Sequence, residues 1–274
     1  RGAGWDEAIH YVGPEGATVQ YLLVLDALNF CFWPSEGTWE YADLSSALKT
    51  AAEGDAGALS AEALAGMDEA RLRALLGGRD LPDMPTRVRL LREVGSVLND
   101  KYGGSAARLV EECGGSAVAL VAAVVRDFPG FRDEAHHPSV GKVQFYKRAQ
   151  IFVGDVYGAL KGQGLGRFMD VGELTMFADY RVPQILREVG VLQYSPSLAS
   201  KIDGFEEIDA GCEEEVEIRA LTIQAVEILT AVLRDKHAAP LIPIQVDWFL
   251  WEEGERLALA GKLAPHHRTR TSFY

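Results

Sequence analysis

The fold is decided by the stretch Val216–Leu233, VEIRALTIQAVEILTAVL, which is the longest periodic segment of the chain. Its apolar residues recur every three or four positions, a spacing that places them on one side of an α-helix. The stretch therefore predicts a long helix. The apolar positions are Ile218, Leu221, Ile223, Val226, Leu229 and Val232.

The same periodicity continues toward the N-terminus. Pro85 opens a predicted helix that ends at Gly103-Gly104, because proline suits a first turn and glycine suits the residue after a last turn. Ser116 is expected to cap the apolar run Ala117–Val125, which should lie at the centre of the core. Further helices are predicted over Phe145–Leu160, from Asp170 or Gly172 to Pro183, from Pro183 to Gly190 and over Val246–Ala260.

Strand-like alternation of polar and apolar residues is scarce, and loops between the predicted helices are short. The sequence therefore predicts an all-α fold, with one compact helical domain over residues 1–274. Such a domain can carry two lobes that flank a cleft.

Composition limits the class of ligand. The 274-residue chain is 48% hydrophobic and carries a formal net charge of −13, with a pI near 4.9. Nucleic-acid backbones are bound by many Lys and Arg side chains, so a wide positive surface and a stable nucleic-acid complex are not expected. A small anion held by a few local cations stays compatible with this balance.

Three separated cysteines, Cys31, Cys113 and Cys212, indicate buried free thiols in a reducing compartment, and a cytoplasmic location is expected. No Cys or His spacing points to a metal, so no metal and no cofactor are expected. No charge-free apolar run reaches membrane-spanning length. Because the chain opens at Arg1 rather than Met, we interpret the sequence as shortened and do not judge N-terminal targeting.

Two segments place ionisable residues among aromatic ones. Lys147 lies in FYKRAQ at 145–150, and Asp179 lies in FADYRVPQ at 177–184. A buried charge costs free energy unless it is paired or used. Lys147 and Asp179 in one pocket could cleave a bond through a cationic transition state. A structural ion pair explains the pattern at least as well.

Three other clusters carry weaker signals. Asn29, Phe32 and Trp33 could bind a flat heterocycle, although core packing is the usual explanation for such aromatics. Asp247 beside Trp248 could accept a ligand hydrogen bond or could simply favour a helix N-terminus. The basic tail around His267-Arg268 could grip an anion, and a disordered terminus is the alternative.

Four stretches in this order resemble the queuosine salvage protein family, whose members are queuosine 5′-phosphate N-glycosylases that release the base queuine. The resemblance runs from about Val19 to Tyr274, and the family's usual N-terminal part is expected to be missing or shortened. It implies a fold like that of the helical DNA glycosylases. The stretches are 26–33, 145–150, 176–184 and 215–219.

The resemblance also implies roles for the two candidate catalytic residues. Queuine is a 7-deazaguanine and has no N7 to protonate, so positive charge builds on the ribose as the bond breaks. Asp179 would stabilise that charge or orient water, and direct attack on the sugar stays open. Lys147 would keep Asp179 ionised and contact the sugar or phosphate.

The resemblance implies a wider substrate site for queuosine 5′-monophosphate and its product queuine. Stacking walls would come from Phe32, Trp33, Phe177, Tyr180 and Trp248, and polar edges or the side-chain amine would be read by Asn29 and Asp247. The other substrate contacts expected are Tyr146, Arg148, Arg181, His267 and Arg268. Candidates for the phosphate grip are Lys142, Arg181, His267, Arg268 and Arg270.

Three alternatives stay open from the residues alone. A non-catalytic module for modified nucleosides would use the same aromatic residues. A DNA or RNA glycosylase would bind oligonucleotides with steep salt dependence. A helical scaffold with no small-molecule site would gain no stability from a ligand.

Overall fold

The computed structural model describes residues 5–34 and 39–274. Twelve α-helices and one two-stranded antiparallel hairpin are present in these ranges, which confirms the predominantly helical fold. The helices are α1 Glu15–Leu28, α2 Tyr41–Gly54, α3 Ala61–Ala65, α4 Glu69–Leu75, α5 Met84–Tyr102, α6 Ala106–Glu112, α7 Ala117–Asp127, α8 Lys147–Ala159, α9 Arg181–Glu188, α10 Pro196–Asp203, α11 Glu213–His237 and α12 Pro243–Leu259. The strands are β1 Glu134–His137 and β2 Gly141–Gln144, and short 3-10 turns cover Pro129–Phe131, Gly164–Gly166 and Val171–Glu173.

Helix α1 forms the centre of the structure. It is buried around nearly its whole circumference and contacts α2, α5, α6 and α8. A helix that is apolar on all sides is stable only inside a core, and burial of each large aliphatic side chain contributes about 1.5–3 kcal/mol. The chain leaves α1 at Asn29, so the residues that follow start from the middle of the protein.

Two apolar clusters organise the helices. The larger one joins α1 to α5, α7 and α8, and the second joins α9, α11 and α12 to the hairpin. Residue Phe177 belongs to the first cluster, and its neighbours Met176 and Ala178 belong to the second. The segment before α9 therefore links the two cores. The division into two lobes of one domain stays a prediction.

Several predicted boundaries are confirmed. The Ser116 hydroxyl accepts a hydrogen bond from the Ala119 amide at the start of α7, and Gly103 ends α5 with a φ of 58°. The long helix predicted from Val216 is present as α11. Its buried face differs from the apolar stripe, since Leu221 is exposed whereas Arg219 and Thr222 are buried.

One predicted helix segment is wrong, and another is confirmed with a shorter range. Residues 174–180 are not helical, because side chains bind their backbone: the Gln150 amide oxygen accepts from Thr175 N, and Asp247 accepts from Phe177 N. Helix α8 starts at Lys147 instead of Phe145 and follows the hairpin, which the sequence did not predict. Tyr146 adopts a left-handed conformation there, with φ 51°.

Candidate active site

A cavity of about 640 Å³ opens where α1, α8 and α12 meet the segment before α9. That volume is in the range of small-molecule sites. Residues from separate parts of the chain line it: Trp5, Asp6, Ile9, His10, Asn29, Phe30, Cys31, Phe32, Glu40, Tyr41, Lys147, Ile151, Asp155, Tyr157, Gly158, Lys161, Phe177, Asp179, Tyr180, Gln245, Asp247, Trp248, Trp251, Glu252, Glu255 and Tyr274.

We call the buried part of this lining the floor, and it contains Asn29, Lys147, Asp155, Phe177 and Asp247. Lys147 begins α8, and its ammonium group donates to the Asn29 carbonyl oxygen over 3.2 Å. Burial lowers the pKa of Lys147, while the nearby negative charge of Asp179 opposes that shift. The floor thus holds an amine whose charge depends on its neighbours.

Asp179 is half-buried on the lining at the start of α9. Its Oδ1 accepts hydrogen bonds from the backbone amides of Arg181 and Val182, at 2.9 and 3.1 Å. Two amides at a helix start fix the orientation of a carboxylate and compensate its charge. No direct salt bridge joins Asp179 to Lys147 within the described ranges, so the two groups interact with space left between them.

A buried ion pair, Asp133 with Arg219, connects the two candidate catalytic residues. The Arg219 guanidinium donates to both Asp133 carboxylate oxygens, at 2.9 and 2.6 Å, and its Nε donates to the Ala178 carbonyl at 3.0 Å. Asp133 Oδ2 also accepts from the Lys147 amide at 3.1 Å. One network therefore fixes the backbone at Lys147 and the residue before Asp179. Glu215 adds a longer contact to Arg219 at 3.4 Å.

Two buried arginines hold the chain where it leaves α1. Arg87 donates to the carbonyls of Leu28, Phe30 and Cys31 at 2.5, 2.7 and 3.1 Å. Arg148 donates to the Ala27 carbonyl at 2.8 Å and to the Gly130 carbonyl. These carbonyls have no helix partner of their own, so the guanidinium groups satisfy them and place Asn29 and Phe32 on the cavity.

Three further carboxyl groups are buried near Lys147. Burial raises the pKa of Asp26 to about 7, and Lys147 opposes the shift. Burial and the Asp26 charge also raise the pKa of Asp155. The pKa of Asp247 is raised by burial and then by the Asp179 charge, against the hydrogen bond from Phe177 N. Burial therefore favours the protonated form of Asp155 and Asp247, which can donate hydrogen bonds.

We call the more exposed part of the lining the mouth. Its half-buried aromatic residues are Trp5, Tyr41, Trp248 and Trp251, and the buried His10 contacts Trp5 and Tyr41. The Asp6 carbonyl can only accept a hydrogen bond, so His10 Nδ1 donates to it over 2.8 Å. Nε2 of the neutral ring then accepts from the Tyr41 hydroxyl at 2.9 Å. Burial lowers the pKa of His10 and keeps this ring neutral.

The cavity brings together eight of the residues that the sequence singled out. They come from α1, α8, α12 and the linking segment, and the structure gives each a place on the lining. They are Asn29, Phe32, Lys147, Phe177, Asp179, Tyr180, Asp247 and Trp248. Their roles toward a substrate stay predictions.

Eight singled-out residues lie outside the lining and have other partners. Two of them are phosphate candidates: Lys142 is paired with Glu134 at 2.8 Å, and Arg270 is paired with Glu207 at 2.9 Å. Arg181 Nε donates to Glu255 at 2.5 Å, and the Tyr146 hydroxyl donates to Glu134 at 2.6 Å. Burial lowers the pKa of His267 to about 3, so its ring is neutral and cannot grip an anion by charge. The others are Trp33, buried beside Phe30 and Leu90; Arg148, bound to carbonyls; and Arg268, whose guanidinium lies over Phe205 at 4.6 Å.

Sequence reasoning missed most residues of the mouth and all of the supporting ion pair. Trp5 and Tyr41 carry no motif of their own, whereas Trp251 stands with Asp247 and Trp248 in the aromatic stretch 245–252. Asp133 and Arg219 lie far apart in sequence. The triplet Glu213–Glu215 followed by Arg219 is typical of an exposed helix start, and burial of Glu215 and Arg219 had no separate signal.

One group of possible metal ligands lies away from the cavity. His137 Nε2 is 3.6 Å from a carboxylate oxygen of both Glu213 and Glu217. His137 Nδ1 accepts from the Ser139 amide, so the neutral ring carries its proton on Nε2. That proton faces the two carboxylates, and an electrostatic contact accounts for the arrangement.

Comparison with known proteins decides the family. Residues 9–274 match the family model described as queuosine salvage protein. The chain belongs to the queuosine salvage protein family, which confirms the resemblance found in the sequence.

Relatives within the family cover nearly the whole chain. A Sphaerobacter thermophilus protein named queuosine 5′-phosphate N-glycosylase/hydrolase is 46% identical, over 98% of this chain and 85% of its own length. A Dictyostelium discoideum protein of the same name is 46% identical over 94% of this chain and 78% of its own. The Mus musculus protein of that name is 34% identical over 98% of this chain and 86% of its own length.

Proposed function

We propose that this protein hydrolyses the N-glycosidic bond of queuosine 5′-monophosphate and releases queuine. The observation that carries the proposal is one cavity lined by Lys147 and Asp179, in a chain whose relatives bear that activity in their names. The substrate is a small molecule. Within the described ranges, no helix is both long and apolar enough to cross a membrane. A cytoplasmic location stays a prediction.

The reaction adds water across the bond between C1′ of the ribose and the base nitrogen. As that bond breaks, its electron pair goes to the base, and positive charge develops at C1′. The Asp179 oxygen that accepts no backbone hydrogen bond stabilises this charge and takes a proton from the attacking water. Because its orientation is fixed before the reaction, no reorganisation is needed in the transition state.

The base must leave with a proton or a hydrogen bond. Burial raises the pKa of Asp247 and so favours its protonated form, whose hydroxyl can donate to the polar edge of the departing base. Phe177 lies beside it, in a position that Gly154 makes possible: a Cβ on Gly154 would lie 2.7 Å from the Phe177 ring. Phe177 and Trp248 supply apolar walls that exclude water.

The test is incubation with queuosine 5′-monophosphate, with free queuine followed by chromatography. Asp179→Asn should keep its melting temperature and lose turnover by about 10²–10⁴-fold. Asp209→Asn, an exposed carboxylate outside the cavity, is the matched control. Near-normal turnover in folded Asp179→Asn protein contradicts the mechanism. Stabilisation by queuine without any release would instead support the non-catalytic binding module.

A further inference from the structure

Three ring contacts join aromatic residues of the mouth. Trp5 lies 4.1 Å from His10, His10 lies 5.7 Å from Tyr41, and Tyr41 meets Trp251 edge-on at 5.6 Å between centroids. Trp248 lies three positions before Trp251 on α12. Trp248 and Trp5 both border Gly158, where a Cβ would lie 3.3 Å from an atom of each. We call these five side chains the aromatic ring.

Charge at the mouth is negative. The carboxylates of Asp6, Glu40 and Glu252 lie on the lining, whereas Glu255 is paired with Arg181 at 2.5 Å and the exposed Lys161 is paired with Glu7 at 3.2 Å. A phosphate dianion would be repelled at such a place, whereas a cation would be attracted.

Two polar groups at the aromatic ring have no protein partner. Glu252 is exposed and makes no ion pair with any described residue, and it follows Trp248 by four positions on the same side of α12. The Trp5 indole N–H is buried and finds no hydrogen-bond acceptor in the described ranges. A buried donor without a partner costs about 1–3 kcal/mol, which a bound oxygen atom would recover.

We propose that the aromatic ring, with Glu252, binds the side-chain ammonium group of the queuine base. Aromatic faces and a carboxylate attract an alkylammonium ion, and the Trp5 N–H suits a hydroxyl oxygen of the same side chain. This inference rests on the proposed function, and it makes the mouth the part of the site that selects the modified base. The base ring then lies on the floor and its side chain extends outward.

Binding to the catalytically impaired Asp179→Asn protein tests the assignment without turnover. The two probes are queuine and 7-deazaguanine, which shares the ring and lacks the charged side chain. Adding Glu252→Gln or Trp251→Leu should weaken queuine binding about 3- to 10-fold and leave 7-deazaguanine binding unchanged. Higher salt should reduce the difference in queuine affinity between the Glu252→Gln variant and its parent, because salt screens the Glu252 charge.

Glu253→Gln is the matched control. It removes the same charge from the next residue of α12, which lies outside the cavity lining and pairs with Arg256. It should leave the affinities for both probes unchanged. Equal losses for both probes in the Glu252 and Trp251 variants, or no loss for queuine, would overturn the inference. A selective effect of Lys161→Met would also overturn the inference. If that variant binds queuosine 5′-monophosphate more weakly and the nucleoside queuosine normally, the phosphate occupies the mouth.

Failure of this inference can be told apart from failure of the proposed function. If the parent protein releases queuine and the variants do not separate the two probes, only the ammonium assignment falls. If the parent protein releases nothing and the probes still separate, the mouth binds the side chain and hydrolysis is wrong.

Discussion

The floor and the mouth of the cavity differ in how their side chains are held. On the floor, Lys147 and Asp247 are buried and hydrogen-bonded to backbone groups of other segments. At the mouth, Trp248 and Trp251 are half-buried, and Trp251 packs edge-on against Tyr41. Fixed polar groups suit a reaction that needs preorganised charge, and apolar rings with a free carboxylate suit selection of a ligand. We therefore expect floor substitutions to change kcat and mouth substitutions to change affinity.

The largest expected effect is on turnover, and it should differ between the floor lysine Lys147 and the mouth lysine Lys161. Lys147→Met should lower turnover about 10²–10³-fold, because the floor loses the cation that interacts with Asp179. Removal of a buried charge should leave stability near that of the parent. Lys161→Met at the mouth is the matched substitution and should change turnover less than about 3-fold. Steady-state release of queuine and a thermal melt measure both, and similar turnover losses in the two variants would erase the distinction between floor and mouth.

A large effect on stability is expected from the ion pair beneath the floor. Arg219→Met leaves the buried Asp133 carboxylate without its main partner, so the free energy of unfolding should fall by about 3–5 kcal/mol in urea. Arg256→Met, which breaks the exposed pair with Glu253, should cost less than about 1 kcal/mol.

The double variant Asp133→Asn/Arg219→Met provides the check. It removes both charges, so it should recover part of the lost stability. Turnover should stay low because the Lys147 and Asp179 backbones lose their shared support. Recovery of full turnover would show that the network stabilises the fold without positioning the floor.

The same contrast explains what the sequence could predict. Lys147 and Asp247 of the floor, and the half-buried Asp179, stand in short motifs where a charge interrupts aromatic neighbours. A buried charge costs free energy unless it is paired or used, so these three residues could be singled out. Tyr41 and Trp5 at the mouth are single aromatics that meet only through the fold. Helical periodicity predicted α5, α7 and α11.

Helical periodicity failed where side chains hold the backbone. At residues 174–180 the Gln150 and Asp247 side chains accept hydrogen bonds from the Thr175 and Phe177 amides in place of helix hydrogen bonds, and these acceptors come from elsewhere in the sequence. For the same reason, Arg148 beside Lys147 was expected to contact substrate, whereas its guanidinium binds the carbonyls at the end of α1. Local sequence does not distinguish a guanidinium that binds a ligand from one that binds the backbone.

The smallest expected effect concerns pH and Asp26, the buried carboxyl behind the floor. Burial raises its pKa from 3.8 to about 7, so the folded protein retains a proton that the unfolded chain releases. The unfolded state therefore binds fewer protons between about pH 4 and pH 7, and this group lowers the free energy of unfolding as pH rises through that window. Asp26→Asn cannot ionise and removes the effect.

The stability advantage of Asp26→Asn over the parent should grow from near zero at pH 4.5 to roughly 1–4 kcal/mol at pH 8. Urea unfolding at the two pH values measures it, and the buried His267 is common to both proteins and cancels in the difference. Glu252→Gln at the exposed mouth should show no such growth. An Asp26→Asn advantage that is equal at both pH values would mean that the Asp26 carboxyl does not titrate in this window.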